Sequence, residues 1–171
     1  MTIVAHVDIC AVGKRERCDL LGRDLNQLVP VENRGEVRWY SGHVYARDCK
    51  KEVLMILQQM FAEQLAHGYR VEYGRSVSMP VATRLAVFGQ DEAPGNWSFR
   101  ELVGSLTWLS TQTLPDISNA VRAVARYYAA PKLSRWKATL GILRHVRRTS
   151  SFGITFVMEM LVHVDVLVNA Q

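Results

Sequence analysis

The 171 residues contain no uninterrupted apolar run of about 18 residues, the length that a transmembrane helix needs. Cysteine is scarce, and three cysteines without C-x-x-C spacing indicate neither a disulfide framework nor a zinc site. The amino-terminal apolar run is short, and basic residues follow it instead of preceding it as they do in a signal peptide. These absences predict an intracellular protein with no membrane partner.

Acidic residues are nearly missing from one stretch of the chain. Between Trp97 and Ser150, nine lysines and arginines stand against two acids, Glu101 and Asp116, a balance of +7. The remainder has twelve basic and fourteen acidic residues, a balance of −2, so the net charge of +5 arises in this one stretch. Positive charge concentrated in this way favours a polyanionic partner.

Apolar residues make up 49% of the chain, enough for a folded core, and their spacing predicts an α+β fold. Short β-branched runs on either side of Asp8 predict a hairpin with a tight turn. Gly68 is typical of the left-handed residue that closes a helix. The elements predicted in this half are a hairpin over 3–12, a helix over 14–28, strands within 36–46 and 53–57, and a helix over 58–67.

The second half begins after the clearest linker signal, Gly89 to Asn96. Three helices are predicted over 97–112, 115–129 and 134–149, and Pro115 suits a first helical turn, where its missing N–H costs nothing. Strands over 152–157 and 161–168 follow. Spacings of three and four assign to the core Trp97, Trp108, Trp136, Leu102, Leu106, Leu109, Ile117 and Val121.

The segment WSFRELVGSLTWLSTQTLPDISNAVRAVARYYAAPKLSRWKATLGILRHVRRTSSFGITF contains a series of short motifs. They are VGSL followed by an aromatic residue and Leu, then PDI, AV, a Pro, a Trp with Ala, ILR and a strand that contains Gly. In this order and spacing the segment resembles the region after the palm in copia-type retrotransposon reverse transcriptases. One departure is Leu114, which stands where that family has Arg before Pro115.

The amino-terminal half resembles the same family. His6-Val7-Asp8-Ile9 lies where the family has its catalytic YVDD turn, and Trp39 to Gly42 lies where it has a strand that leaves the palm. His163 to Val166 is similar to the first strand of RNase H. The resemblance implies a remnant palm hairpin with a small antiparallel sheet and helices over 1–88, a linker over 89–96, a three-helix thumb and connection segment over 97–157, and terminal strands with a vestigial start of RNase H over 158–171.

Polymerase chemistry in this family needs three carboxylates around two Mg²⁺ ions, which stabilise the attacking and leaving oxygens. The resemblance places two carboxylates on the YVDD turn and the third on a strand upstream of these 171 residues. Asp8 matches one of them and Ile9 replaces its neighbour, so Asp8 is interpreted as a vestigial catalytic and metal-binding residue, or else as a plain turn residue. Asp165 is interpreted as a vestige of RNase H. Mg²⁺ is expected for the intact family, and we expect this chain to retain no cofactor and to catalyse nothing alone.

The basic stretch is a candidate nucleic-acid interface. Lys137, Arg144 and Arg148 fall at offsets of 0, 7 and 11 on one face of a helix whose apolar residues fall on another. On the preceding helix, two arginines one turn apart are followed by Tyr127 and Tyr128, which suits phosphate contacts beside an aromatic surface. The alternative is a solvated basic face. The candidate contacts are Arg122, Arg126, Lys137, Arg144, Arg147 and Arg148.

The resemblance implies a fragment of a retrotransposon reverse transcriptase, whose family activity is RNA-directed DNA polymerisation with RNase H. The expected partner is an RNA or DNA template–primer duplex, and the expected location is the cytoplasm, a virus-like particle or the nucleus. Strands over 3–12 and 161–168 would lack their family neighbours, so self-association through exposed strands is expected. Two alternatives stay open: a repurposed basic nucleic-acid-binding or protein-interaction module without catalysis, and a subunit that another chain completes.

Overall fold

The computed structural model describes the backbone of residues 2–5, 9–48, 50–51, 53–71, 95, 97–157 and 163–169, and the side chains of these residues except 2–5, 12 and 163–169. Helices and antiparallel strands are both present, which confirms the α+β class. The chain divides into two compact units, a sheet unit of residues 1–56 and 155–171 and a helical unit of residues 57–154. The elements in chain order are β1 (Thr2–Ala5), β2 (Ile9–Gly13), α1 (Arg15–Leu28), β3 (Val31–Glu36), β4 (Trp39–Tyr40), β5 (His43–Asp48), β6 (Val53–Leu57), α2 (Gln59–Gly68), α3 (Phe99–Gln112), a 3-10 turn (Pro115–Ile117), α4 (Ser118–Ala125), α5 (Leu133–Arg148), β7 (Gly153–Val157) and β8 (His163–Asn169).

The first sheet has the strand order β1-β2-β8-β3, and every neighbouring pair is antiparallel. β1 and β2 form the predicted hairpin. β8 lies inside the sheet, since Val166 pairs with Cys10 of β2 on one side and Leu167 pairs with Asn33 of β3 on the other. The expectation of an unpaired strand near the carboxyl end is therefore wrong, because strands from both ends of the sequence complete one sheet.

Helix α1 packs against β2, β3 and β8 through a narrow apolar face. Cys18 is fully buried on this face, with its thiol 3.9 Å from the carbonyl oxygen of Ala11. Leu28 has the spacing of that face but is 83% exposed, so the apolar contact ends before the last helical turn. After the helix, the side-chain oxygen of Asn26 accepts a hydrogen bond from the N–H of Val31 at 3.0 Å, which ties the helix end to the start of β3.

The second sheet has the order β4-β5-β6-β7. β4 and β5 form a hairpin whose two-residue turn is Ser41-Gly42, with φ of 49° and 80°. Positive φ at both central residues is the turn geometry whose twist matches the twist of paired strands. Glycine adopts this conformation without a steric cost, and the preceding serine adopts it only because the hairpin requires it.

Helices α2 to α5 enclose one apolar core in the helical unit. Trp108 is 44% exposed, so its assignment to the core is wrong. It lies two residues after Leu106, a rotation of about 200° that takes it to the opposite side of α3. Trp97 and Trp136 are partly buried. The other predicted core residues are all buried, as expected: Leu102, Leu106, Leu109, Ile117 and Val121.

One buried polar contact joins distant parts of the helical unit. The hydroxyl of Thr113 donates to the side-chain oxygen of Gln58 at 3.0 Å, and both residues are buried. Gln58 immediately precedes α2 and Thr113 immediately follows α3. Their hydrogen bond holds the start of one helix against the end of the other, 55 residues away in sequence.

The end of α2 corrects the prediction for Gly68. Gly68 is the last helical residue, and the left-handed residue is Arg70, with φ 55°. The N–H of Arg70 donates to the carbonyl of His67 at 2.9 Å and that of Val71 donates to the carbonyl of Ala66 at 3.1 Å. These two bonds form a Schellman closure with arginine where glycine is usual, because burial of Val71 sets where the chain turns.

The helix predicted over 115–129 is shorter in the structure. It starts as the 3-10 turn at Pro115, as the proline suggested, and α4 ends at Ala125. The next residues form tighter turns, in which the N–H of Tyr127 donates to the carbonyl of Val124 and that of Tyr128 to the carbonyl of Ala125. Of the predicted linker over 89–96, the structure describes only Gly95, so the proposed domain boundaries stay predictions.

Candidate nucleic-acid interface

Helix α5 presents the predicted cationic stripe. On an α-helix, the positions 7 and 11 residues after Lys137 lie within roughly 20° of it. Lys137, Arg144 and Arg148 therefore share one face. The buried residues Ile142 and Val146 lie on the other side of the helix. Lys137 and Arg148 are exposed. The two ends of the stripe are therefore accessible to a ligand.

Arg144 is the partly buried member of the stripe. Its Nε atom is buried and has no hydrogen-bond partner within the described part of the chain. A buried guanidinium N–H without an acceptor carries a desolvation cost of about 1–3 kcal/mol. An external acceptor that reaches the exposed part of the same guanidinium would offset part of that cost, which makes Arg144 a suitable contact for an anion.

Three candidates remain, two at the end of α4 and one at the end of α5. Arg122 and Arg126 are exposed, while the buried side chains of this short helix include Val121 and Val124. Both arginines lie at or just beyond the last turn, where the helix dipole stabilises a cation. Arg147, in the last turn of α5, is exposed in the same electrostatic setting.

The candidate cations form no ion pair with any acid that the structure describes. Among the described residues the ion pairs of the helical unit include none of the six candidates. Uncompensated positive charge on adjacent helices produces the field that attracts a polyanion. The residues concerned are Arg122, Arg126, Lys137, Arg144, Arg147 and Arg148.

The aromatic surface expected beside these cations is occupied by the fold itself. The guanidinium of Arg135 lies over the ring of Tyr127, 4.3 Å from its centroid. The ring of Tyr128 meets Phe99 edge to face, with centroids 6.2 Å apart. Both tyrosines are only partly exposed. Their rings therefore stabilise the packing of α3 and α5 instead of offering a free surface to bases.

Sequence reasoning missed Arg135, a cation of the basic stretch that is 2% exposed. It lies seven residues before Ile142, and that spacing places both residues on the buried face of α5. The spacing was visible in the sequence, but the charge favoured an exposed position. Arg135 is therefore a buried packing residue next to the candidate interface and not part of its exposed surface.

A buried histidine was also missed. His145 is 4% exposed, and its Nε2 lies 2.9 Å from Oδ2 of Asp116 in the 3-10 turn. Nδ1 of the same ring is buried without a partner among the described residues. In this hydrogen bond Nε2 carries the proton, since an ionised carboxylate can only accept. This pair fastens α5 to the turn that starts α4.

Three aromatic rings flank the amino-terminal end of α5. Trp136 stacks on Trp97 with centroids 6.0 Å apart and meets Tyr69 edge to face at 5.9 Å. Burial raises the pKa of Tyr69, and the charge of Glu101 raises it further. Tyr69 therefore stays neutral near pH 7 and adds no negative charge to the basic surface.

The carboxylates of the vestigial catalytic hypothesis are not brought into a described site. Asp8 lies outside the described residues. The backbone of Asp165 lies in β8, opposite Ala11 on one side and Glu36 on the other. Within the described residues no group of three or more histidine, cysteine, aspartate or glutamate side chains is placed to hold a metal ion. Across the described helices, none is both long and apolar enough to span a membrane.

Relatives of the chain among known proteins include a transposon polyprotein and an effector protein. The chain is similar to the retrovirus-related Pol polyprotein from transposon TNT 1-94 of Nicotiana tabacum, with 27% identity over 158 residues. That match covers 87% of this chain and 12% of the polyprotein. The chain is also similar to secreted RxLR effector protein 161 of Plasmopara viticola, with 28% identity over 61 residues, which are 36% of this chain and 43% of that protein.

No family model and no solved structure matches the chain. The chain spans 12% of the length of the Pol polyprotein that it resembles. The similarity extends over 87% of the chain and so includes both the sheet unit and the helical unit. The chain is therefore similar to one part of a retrotransposon Pol polyprotein over most of its length.

Proposed function

We propose that this chain is a segment of a retrotransposon reverse transcriptase whose helical unit contacts nucleic acid through α4 and α5 and which has no polymerase activity alone. The observation that carries the proposal is the set of six candidate cations on these helices, none of which is paired with an acid among the described residues. The similarity to a Pol polyprotein also supports contact with nucleic acid, because the family resemblance implies a template–primer duplex as the partner.

The contact would be made to phosphates. Exposed lysines and arginines on a helix face bind the phosphate backbone without reading bases, so affinity is indifferent to sequence. Each phosphate contact releases a counterion, and the logarithm of the binding constant then falls with the logarithm of salt concentration by about 0.9 per contact for duplex DNA. Salt dependence is therefore the measurement that distinguishes a working interface from a solvated face.

The test replaces Lys137, Arg144 and Arg148 together with Ala and measures duplex binding by fluorescence anisotropy across a salt series. We expect weaker binding and a salt slope lower by about 3, roughly one for each cation that no longer meets a phosphate. A matched control replaces three exposed arginines of α1 in the sheet unit, which removes the same charge. The control positions are Arg15, Arg17 and Arg23.

Equal losses of affinity in the two triple variants would mean that only net charge matters, and the interface proposal would then fail. An unchanged affinity and slope in the α5 variant would show that the stripe is a solvated basic face. Thermal melting of both variants checks that the fold is intact, since all the replaced residues except Arg144 are exposed.

Polymerase activity is tested separately. We expect no primer extension with Mg²⁺ or Mn²⁺, because Ile9 stands where the family has the second acid of its catalytic turn, and one carboxylate cannot hold two hard cations. The Ile9→Asp variant should also be inactive, since the third carboxylate of the family is not among these residues. Template-dependent extension that disappears in Asp8→Ala would contradict the proposal and favour an active subunit.

A second candidate function is a non-catalytic module with a role outside reverse transcription. The similarity to an RxLR effector protein favours it, because that relative is a secreted effector by name and shares 61 aligned residues with this chain. Such a module would bind a protein partner instead of nucleic acid. Failure of duplex binding at the lowest salt concentration, with a cooperatively folded chain, would favour this candidate.

A further inference from the structure

We infer that Phe152, just beyond the carboxyl end of α5, is a stacking site for an unpaired nucleotide at the end of the cationic stripe; this rests on the proposed contact between the basic helices and nucleic acid. Phe152 is 63% exposed. Within the described part of the chain its ring has no aromatic or cationic contact. The ring is therefore accessible to a ligand at the end of a basic helix.

The backbone holds Phe152 close to the stripe. α5 ends at Arg148, and the N–H of Phe152 then donates to the carbonyl of Thr149 at 2.8 Å. This bond closes a turn, so Phe152 lies within one turn of the last arginine. The side chain of Ser150 approaches Glu63 of α2, with Oγ 3.4 Å from Oε1, which fixes the same turn against the helical unit.

The other aromatic rings beside the basic helices are occupied. Tyr127 has Arg135 over its ring, Tyr128 packs on Phe99, and Trp136 is stacked on Trp97. Bases cannot stack on these rings without displacing contacts that hold the helices together. Among the aromatic residues that the structure describes on these helices and the turn after α5, Phe152 combines exposure with a position next to Arg147 and Arg148.

The charge of the surroundings identifies the occupant. Arg147 and Arg148 are exposed at this end of α5, against the one carboxylate of Glu63 that approaches Ser150, so a ligand here meets net positive charge from these groups. An apolar peptide or a second copy of this basic surface gains nothing from that field. An unpaired nucleotide satisfies both features, since its phosphate pairs with arginine and its base stacks on the ring.

The stripe and Phe152 would contact two different parts of one ligand. The stripe from Lys137 to Arg148 runs along the helix for about 16 Å, at 1.5 Å per residue, and suits the phosphates of a duplex. Phe152 lies beyond the end of the stripe, where a duplex end or a single-stranded extension would meet it. We therefore expect a preference for a duplex with an unpaired extension over the same duplex with blunt ends.

The experiment uses the full chain and two DNA probes, a blunt duplex and the same duplex with a single-stranded extension that contains 2-aminopurine. Anisotropy measures affinity, and 2-aminopurine fluorescence reports stacking. We expect the extended probe to bind about fivefold or more tightly than the blunt one, as stacking of one base on an aromatic ring implies. Binding should quench the 2-aminopurine.

Two variants separate aromatic stacking from apolar contact. Phe152→Leu keeps an apolar side chain without a π face and should lose both the preference and the quenching. Phe152→Trp should retain both. Phe156→Ala in β7, which removes another exposed phenylalanine, serves as the control and should change neither.

The outcomes distinguish this inference from the function it rests on. If both probes bind equally and Lys137→Ala with Arg148→Ala weakens both, the stripe is confirmed as an interface and the Phe152 site is rejected. If the preference survives in Phe152→Leu, the stacking site lies elsewhere and the inference is wrong. If neither probe binds at the lowest salt concentration, both the proposed function and this inference fail.

Discussion

The helical unit and the sheet unit differ in how far apart in sequence their packed segments lie. Among the described residues, the helical unit has a core of sixteen buried apolar residues contributed by α2, α3, α4, α5 and the segments beside them. In the sheet unit, the described side chains form a buried cluster of only Cys10 and Val37, with Tyr40 and Tyr45 packed against it. In this unit β8 pairs with β2 on one side and with β3 on the other, so strands distant in sequence lie side by side.

The helical unit is one continuous range of the sequence, whereas the sheet unit consists of two separate ranges. Residues 57–154 bring together helices that are close in sequence, so much of the cost of loop closure is avoided. β8 reaches β2 only after more than 140 residues have been placed, and β8 is then the strand on which both β2 and β3 depend. Changes to the two units should therefore have separable effects.

The largest expected effect comes from breaking the central strand of the first sheet. Val166→Pro removes a backbone donor from β8, and proline is found essentially only on edge strands or at bulges. We expect β2, β3 and β8 to lose protection in hydrogen exchange measured by mass spectrometry, while α3 and α5 keep theirs. Thr2→Pro, at the first residue of β1, is the control and should leave the sheet intact.

Loss of protection in α3 and α5 of the Val166→Pro variant would contradict this view of the two units. It would show that they unfold as one cooperative body. A retained sheet would instead show that β8 contributes little to the pairing of β2 and β3.

A core truncation in the helical unit should have the next largest effect. Leu106 is fully buried in α3, and Leu106→Ala should lower the free energy of unfolding by about 2–5 kcal/mol through reduced apolar burial and the cavity left behind. Leu28→Ala in α1 is the matched control, since Leu28 is 83% exposed, and should change the stability by less than about 0.5 kcal/mol. Denaturant unfolding followed by tryptophan fluorescence measures both. Equal effects would mean that burial does not distinguish these sites.

The smallest effects concern the end of α2, where two substitutions should both stabilise the helical unit. Gly68→Ala should add roughly 0.5–1 kcal/mol, because Gly68 is helical and a Cβ there meets nothing within 4 Å. Arg70→Gly should add about 1 kcal/mol, because it relieves the left-handed conformation of a residue that has a Cβ. Thermal melting gives the sign of each change. A destabilising Gly68→Ala would restore the sequence-based assignment of Gly68 as the left-handed residue.

The sequence indicated the candidate cations but not the buried contacts next to them. Helical spacing placed Lys137, Arg144 and Arg148 on one face, and in the structure Lys137 and Arg148 are exposed while Arg144 is partly buried. Spacing did not reveal that Arg135 is buried over Tyr127, because the position of a charge along the sequence does not say which neighbour covers it. The pair of His145 and Asp116 was missed for the same reason, since its partners are 29 residues apart.

The sequence by itself determined the local elements of this protein. Apolar residues three and four apart defined α1, α3 and α5, and β-branched runs defined the hairpin of β1 and β2, because these patterns depend on the geometry of one segment alone. Glycine and proline marked the ends less reliably, as the left-handed Arg70 beside a helical Gly68 shows.

Only the tertiary structure decided how distant segments meet. The insertion of β8 between β2 and β3, the exposure of Trp108 and the buried hydrogen bond from Thr113 to Gln58 all depend on which surfaces come into contact. Strand pairing between the ends of a chain leaves no periodic signal in either strand, since each strand alternates in the same way whatever its partner. Burial likewise is a property of the assembled unit, and no single helix contains it.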